Sequence, residues 1–270
     1  MATPSPHPRS YERPSARPSW AARVRQGGRA VVAGVVAVGV SYLGACVCAL
    51  LLYTVAFPPI TGVQLQRQVT APFTEGSYER HYQPRPLSQI DPDLPRAVVA
   101  GEDSRFFEHN GIDWKAVRTA IREYRRGGDL RGASSISQQL VKNLFLTTHS
   151  TIVRKALEVP LTYAAELLLS KRRILELYVN VIEWGPGVYG AEAAARHHYG
   201  ASARTLTRAQ AAALAACIPN PLVRRPDRVD WYQHIILRRM SNLGRLPLSY
   251  GTIQVPSNRF ASALNVNRAR

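Results

Sequence analysis

From Ala30 to Phe57 apolar residues follow one another almost without interruption, and no charged side chain stands between Arg29 and Arg67. A helix over this stretch would reach about 42 Å, more than the roughly 30 Å of a hydrocarbon core, so it can span a bilayer with some tilt. Beyond Pro95 the apolar positions recur every three or four residues instead, the period of helices with one buried face. Asp93-Leu94-Pro95 offers an N-cap with proline just inside a helix whose Ala97, Val98 and Val99 run into Gly101-Glu102. Asp113 can cap a second, with Trp114, Val117, Ile121 and Tyr124 on one face and Gly127-Gly128 as its stop. Ser135 and Gln138 have capping-box spacing ahead of Leu140, Val141, Leu144 and Phe145. Further helices are expected from Ser150 to about Ser170, where Pro160 is placed to kink the run, and from Ser170 to the W-G-P-G at Trp184 to Gly187. Others follow over A-E-A-A-A-R-H-H-Y-G, after a capping box at Thr207 and Gln210, and over Trp231 to Leu243 before Gly244. Alternating, strand-like stretches are sparse, and there is no βαβ rhythm, repeat or Gly-rich phosphate loop, so the fold class is mainly α with one N-terminal transmembrane helix.

The same pattern divides the chain. Residues 1–29 are rich in Pro, Ser, Ala and Arg, with six arginines opposed only by Glu12, and are expected to be a disordered cytoplasmic tail. The anchor is residues 30–57, the arginines ahead of it placing the N-terminus in the cytoplasm and the remainder outside. Residues 58–92 are expected to form a stalk or linker, 93–250 the folded helical domain, and 251–270 a C-terminal tail.

Charge narrows the partners. A net charge of +17 calls for nucleic acid, an anionic membrane surface or a phosphorylated substrate. Cys46 and Cys48 lie inside the apolar run and Cys217 stands alone, which suggests neither a disulfide framework nor a zinc site.

Four polar clusters interrupt otherwise apolar elements. They are A-G-E-D-S-R-F-F-E-H-N-G at Ala100 to Gly111, G-A-S-S-I-S-Q-Q-L-V-K-N at Gly132 to Asn143, R-K-A-L-E at Arg154 to Glu158 and K-R-R-I-L-E-L-Y-V-N at Lys171 to Asn180. Together they resemble glycosyltransferase family 51, the peptidoglycan polymerases, whose motifs read approximately E-D-x-x-F-x-x-H-x-G, G-G-S-T-I-T-Q-Q-x-x-K-N, R-K-x-x-E and K-x-x-I-L-E-x-Y-L-N. The likeness covers roughly Asp93 to Met240, with mild departures at Ala133, Ser135, Ser137 and Val179. V-I-E-W-G-P-G-V-Y-G-A-E-A-A-A-R-H-H-Y-G resembles the monofunctional biosynthetic enzymes of Gram-negative bacteria in particular. The absence of S-x-x-K and K-T-G leaves no transpeptidase half.

The resemblance implies a lysozyme-like, mostly helical domain on the outer side of the inner membrane. Its substrates would be lipid II and the growing glycan chain, with inner-membrane lipid and cell wall synthesis or division proteins as partners, and no nucleic acid. A sugar hydroxyl is a poor nucleophile and needs a base, the role Glu102 fills in the family. The diphosphate leaving group asks for positive charge, which Lys142, Arg154 and Lys155 can supply. Glu158 is then expected to orient those cations, or to hold a divalent Mg or Mn ion against the diphosphate; no cofactor is obligatory. Asp103 and His109 are expected to shape the site. Ser134 and Ser135 cap a helix and reach phosphate, while Gln138, Gln139 and Asn143 line a sugar groove. Lys171, Glu176, Tyr178 and Asn180 are acceptor-side or scaffold positions. Leu144, Phe145 and Leu146 either dip into the outer leaflet or belong to the core. Two rival readings, a lytic or lysozyme-type hydrolase and a basic module binding nucleic acid or anionic lipid, lack respectively a use for the cations and a basic stripe with interleaved aromatics.

Overall fold

The structure, a computed structural model, describes residues 20–73, 78–128, 132, 134–149 and 151–248. The expected tails at 251–270 and 1–19 therefore lie outside the described residues. Contacts divide the chain into two units, Met1–Ala45 and Cys46–Arg270.

Helix α1, Trp20–Leu52, contains one span, Gln26–Leu52, long and apolar enough to cross a membrane. It starts earlier than Ala30, within the stretch read as a tail, because no proline follows Pro18 there to stop it. It also ends before Phe57: the Thr54 hydroxyl donates to the Leu51 carbonyl at 2.6 Å, satisfying one of the last helix acceptors.

The segment read as a stalk is packed into the second unit. Thr61 and Gln64 form a capping box opening α2, Gly62–Thr70, with Val63 and Gln64 buried. A Cβ on Gly62 would stand 2.7 Å from the Leu146 carbonyl oxygen, so glycine is what lets α2 approach the end of α5, Ile136–Phe145. Leu144 and Leu146 are consequently buried, and Phe145 stacks on Tyr53 with ring centroids 6.4 Å apart. Burial decides between the two readings of this stretch: Leu144 and Leu146 belong to the core, while Phe145 is half-buried.

The helices form two groups. In one, α3 (Asp93–Glu102), α9 (Arg208–Cys217) and α10 (Asp230–Leu243) pack together. In the other, α5 lies against α6 (Ile152–Leu168) and α7 (Lys171–Val181), α6 running through Pro160 unbroken. α3 also touches α7, so the groups share a seam. α4, Trp114–Arg125, has no buried residue. Beyond Val181 the expected helical run to W-G-P-G gives way to a hairpin of β2 (Glu183–Gly185) and β3 (Val188–Tyr189), because Pro186-Gly187 makes a turn with Gly187 at φ +74°. β1, His81–Tyr82, pairs parallel to β3, and α8, Ala191–Tyr199, follows.

Arg173 of α7 ties residues 53–57 to this body. Its Nε donates to the Tyr53 carbonyl at 2.8 Å and its Nη2 to the Ala56 carbonyl at 2.6 Å, while the guanidinium lies 4.6 Å from the Phe57 ring centroid.

Gly190 precedes α8 at φ +87°, and a Cβ there would meet the Asn180 carbonyl oxygen at 2.6 Å. Both the backbone conformation and the space exclude a side chain. Gly190→Ala is expected to cost about 1–3 kcal/mol, read as a fall of several degrees in the thermal midpoint.

Candidate active site

Glu102 is the last residue of α3, where the helix ends at Asp103 and the chain turns away. Its partly buried carboxylate accepts a hydrogen bond from Gln139 Nε2 at 2.8 Å. Next along α5, Gln138 Nε2 donates to Glu158 Oε1 at 3.2 Å. Two adjacent glutamines of one helix therefore reach the two carboxylates that stand 56 positions apart in sequence.

Glu158 is 2% exposed and its charge is fully engaged. Arg154 Nη1 donates to its Oε2 at 2.8 Å, and Lys155 Nζ bonds to its Oε1. Lys155 reaches Ser134 Oγ as well, at 3.1 Å. The i,i+4 and i,i+3 spacings on α6 make these pairs possible, and Thr151 caps the helix by accepting from the Arg154 amide at 3.1 Å. Both oxygens of Glu158 are thus engaged by cations and an amide.

Lys142, one turn along α5 from Gln138 and Gln139, lies in the electrostatic field of both carboxylates. Burial lowers the Lys142 ammonium below its ordinary range; Arg154 and Lys155 add to that, and Glu158 and Glu102 oppose it. Burial pushes the Glu102 carboxyl above the usual carboxylate range, and the Gln139 bond and the charges of Lys142 and Arg224 draw it partly back. A carboxyl held above its usual range thus lies near a cationic group on α5.

Around this centre, Asp103 accepts from the Ile136 amide at 3.1 Å and from His109 Nε2 at 3.0 Å, fixing the start of α5 to the loop after α3. Ser135 forms the expected capping box with Gln138, and its hydroxyl bonds to the Gly111 carbonyl. Asp103, His109 and Asp113 could together gather ligand atoms within 4.8 Å, but Asp113 is already paired with Arg105 and caps Ala116, so both carboxylates there are satisfied.

The remaining sequence-predicted residues are placed as supports. Asn143 is buried and turns its amide back to the Gln139 carbonyl at 2.8 Å. Lys171 bonds to Glu166 at 2.8 Å and lies over the Phe106 ring, 4.3 Å from its centroid. Glu176 accepts from the Leu87 amide at 2.8 Å, and Asn180 holds both backbone groups of Arg85 at 2.8 Å, which ties the segment before α3 to α7.

Arg224 has no counterpart among the expected residues. It donates to the Ala216 carbonyl at 2.9 Å, lies 5.4 Å from the Tyr232 ring centroid, and acts on the Glu102 charge. Tyr232 donates in turn to the Gly101 carbonyl at 3.1 Å, one residue before Glu102. Among many arginines in the chain, no periodicity or motif singles Arg224 out.

One raised carboxylate thus stands near a carboxylate-held cation cluster. The transglycosylase family model matches residues 67–241. The chain belongs to the transglycosylase family. Similar curated transglycosylases include the biosynthetic peptidoglycan transglycosylase of Pseudomonas fluorescens (strain SBW25), 48% identical over 179 residues, covering 66% of this chain and 75% of that protein. The protein of that name from Pasteurella multocida (strain Pm70) is 42% identical over 197 residues, covering 71% and 80%. That from Shewanella oneidensis is 43% identical over 197 residues, covering 71% and 83%. The transglycosylase match begins at Arg67, inside α2, which accords with the packing of that segment into the domain.

Proposed function

We propose that lipid II is the substrate of this peptidoglycan glycosyltransferase of cell wall synthesis, and that Glu102 is its general base. The observation that carries this reading is the Gln138–Gln139 pair, which sets Glu102 and the Glu158-held cations on one helix surface. Glu102 takes the proton of the acceptor GlcNAc 4-hydroxyl as that oxygen attacks the anomeric carbon of the donor chain. The bond from that carbon to the diphosphate oxygen breaks, and undecaprenyl diphosphate leaves with the electron pair. Attack opposite the leaving group turns an α-linked donor into a β-linked product.

Lys142, Arg154 and Lys155 take up the charge that develops on the diphosphate, arginine through paired N–H groups and lysine as a point charge. Glu158 aims Arg154 and Lys155 rather than acting as an acid. Ile152 and Val153, 90% and 71% exposed, immediately precede the two α6 cations. Apolar side chains beside phosphate-binding cations suit a polyprenyl diphosphate at a membrane surface. The anchor and its preceding arginines support an N-terminus in the cytoplasm and a catalytic domain beyond the inner membrane.

Purified full-length protein given lipid II is expected to extend labelled glycan chains without shortening preformed strands. Shortening without growth would instead favour a hydrolase, and salt-sensitive nucleic-acid binding that survives Glu102→Gln would favour a basic binding module.

A further inference from the structure

We infer that Tyr178 is a positioning residue for the general base, acting through the side-chain amide of Gln139. The inference rests on the assignment of Glu102 as that base. Tyr178 sits on α7, fully buried, and its hydroxyl donates to Gln139 Oε1 at 2.8 Å. The other end of the same amide, Nε2, donates to Glu102 Oε2 at 2.8 Å and lies 3.4 Å from the Ser134 carbonyl oxygen.

A glutamine amide has two orientations, related by a half-turn, that exchange an acceptor for a donor. Only one of them serves an ionised Glu102. Tyr178 supports it by donating to Oε1, while the carboxylate and the Ser134 carbonyl, both acceptors, take the protons of Nε2. Burial, with the negative charges of Glu102 and Asp103 beside it, holds the Tyr178 phenol well above its ordinary value, so it remains a donor throughout the working range. The reversed amide would set an oxygen against the carboxylate oxygen of Glu102 and could be accommodated only by protonating it. Tyr178 thereby biases the base toward its proton-accepting form without touching it.

Tyr178→Phe removes the hydroxyl and keeps the ring that fills the core. Gln139 Oε1 then has no donor, the amide is free to turn, and the ionised form of Glu102 loses part of its support. The acid limb of the pH profile for chain growth is expected to move about one unit to higher pH, with kcat/KM down about tenfold on its acid side, the factor attached to one pKa unit. The loss should vanish as pH rises past the displaced limb.

The decisive comparison uses Gln139→Ala and the double variant, with thermal melts confirming that each folds. Gln139→Ala alone is expected to displace the acid limb in the same direction, and adding Tyr178→Phe to it should move the limb no further. A loss that is uniform across pH, or a full second factor in the double variant, would overturn the relay. Should Tyr178→Phe fail to fold, an unmoved acid limb in Gln139→Ala does so by itself. These outcomes are separable from failure of the base assignment, which would appear as an active Glu102→Gln enzyme whatever Tyr178 does.

Discussion

Glu102→Gln is expected to lower the rate of chain growth by about 10³-fold, the middle of the range for loss of a positioned general base, while leaving the protein folded and able to bind lipid II. Glutamine keeps the shape of the side chain and can still accept from Gln139 Nε2, so the geometry around α5 persists. What disappears is the capacity to take a proton from the acceptor hydroxyl. The wild-type profile should show an acid limb above the ordinary carboxylate range, since burial raises the Glu102 carboxyl.

The same shift has a consequence for stability. A carboxyl whose pKa is higher in the folded chain than in the unfolded one opposes folding increasingly as pH rises above the unfolded value, and the cost is complete above the folded one. The neutral amide removes that cost, so Glu102→Gln should melt roughly 1–3 °C higher near pH 7, the size of a modest single stabilising change in a domain of this length. The gain should shrink as pH falls below the folded pKa and vanish below the unfolded one, where the carboxyl is protonated in both states. Paired melts at two pH values test the sign. A variant that melts lower at neutral pH while retaining activity would show that Glu102 is an ordinary structural carboxylate.

How far these features could be read from the chain depends on whether they are local. Caps and stops are local chemistry, so the Ser135–Gln138 and Thr207–Gln210 capping boxes, the Asp113 N-cap and the glycines ending α4 and α10 stand where the sequence puts them. Glu102 falls at a helix end for the same reason. α2 was hidden because its buried stripe is narrow and half polar: Gln64 is buried, and its Oε1 accepts from Thr61 and from Arg80, a partner that arrives only through the fold. The burial of Leu144 and Leu146 was not decidable from the chain because nothing in their own helix announces that α2 will cover them.

In the site the same division holds. The motifs named the charged groups, but the hydrogen bonds that give them roles cross between helices. Tyr178 reaches Gln139 across 39 positions, and Arg224 acts on Glu102 from a loop without periodicity. The i,i+4 pair of Arg154 and Glu158 looked the same in sequence as a surface salt bridge worth a few tenths of a kcal/mol. Burial of Glu158 to 2% exposure is what separates the two readings.

That burial sets the second large effect. Glu158→Ala is expected to destabilise the domain by about 2–4 kcal/mol, because removing one partner of a buried pair strands the other's charge. The size follows from the partners' own exposure. Lys155 is 47% exposed in its side chain and can swing into water, whereas Arg154 is only 14% exposed and its Nε is buried without a partner. Arg154 therefore carries most of the cost, and the thermal midpoint should fall by about 5–12 °C. Replacing the stranded cation as well, in Glu158→Ala with Arg154→Met, should recover most of that loss, since an unpaired buried charge is exchanged for an apolar chain of similar length. Activity should not follow. The double variant lacks the guanidinium aimed at the leaving group, and chain growth is expected to remain at least 10²-fold down, the usual effect of deleting one preorganised charge-stabilising group. Stability and activity thus part company in the double variant if Glu158 serves to hold cations for the diphosphate. They would return together if the pair were only a structural bridge.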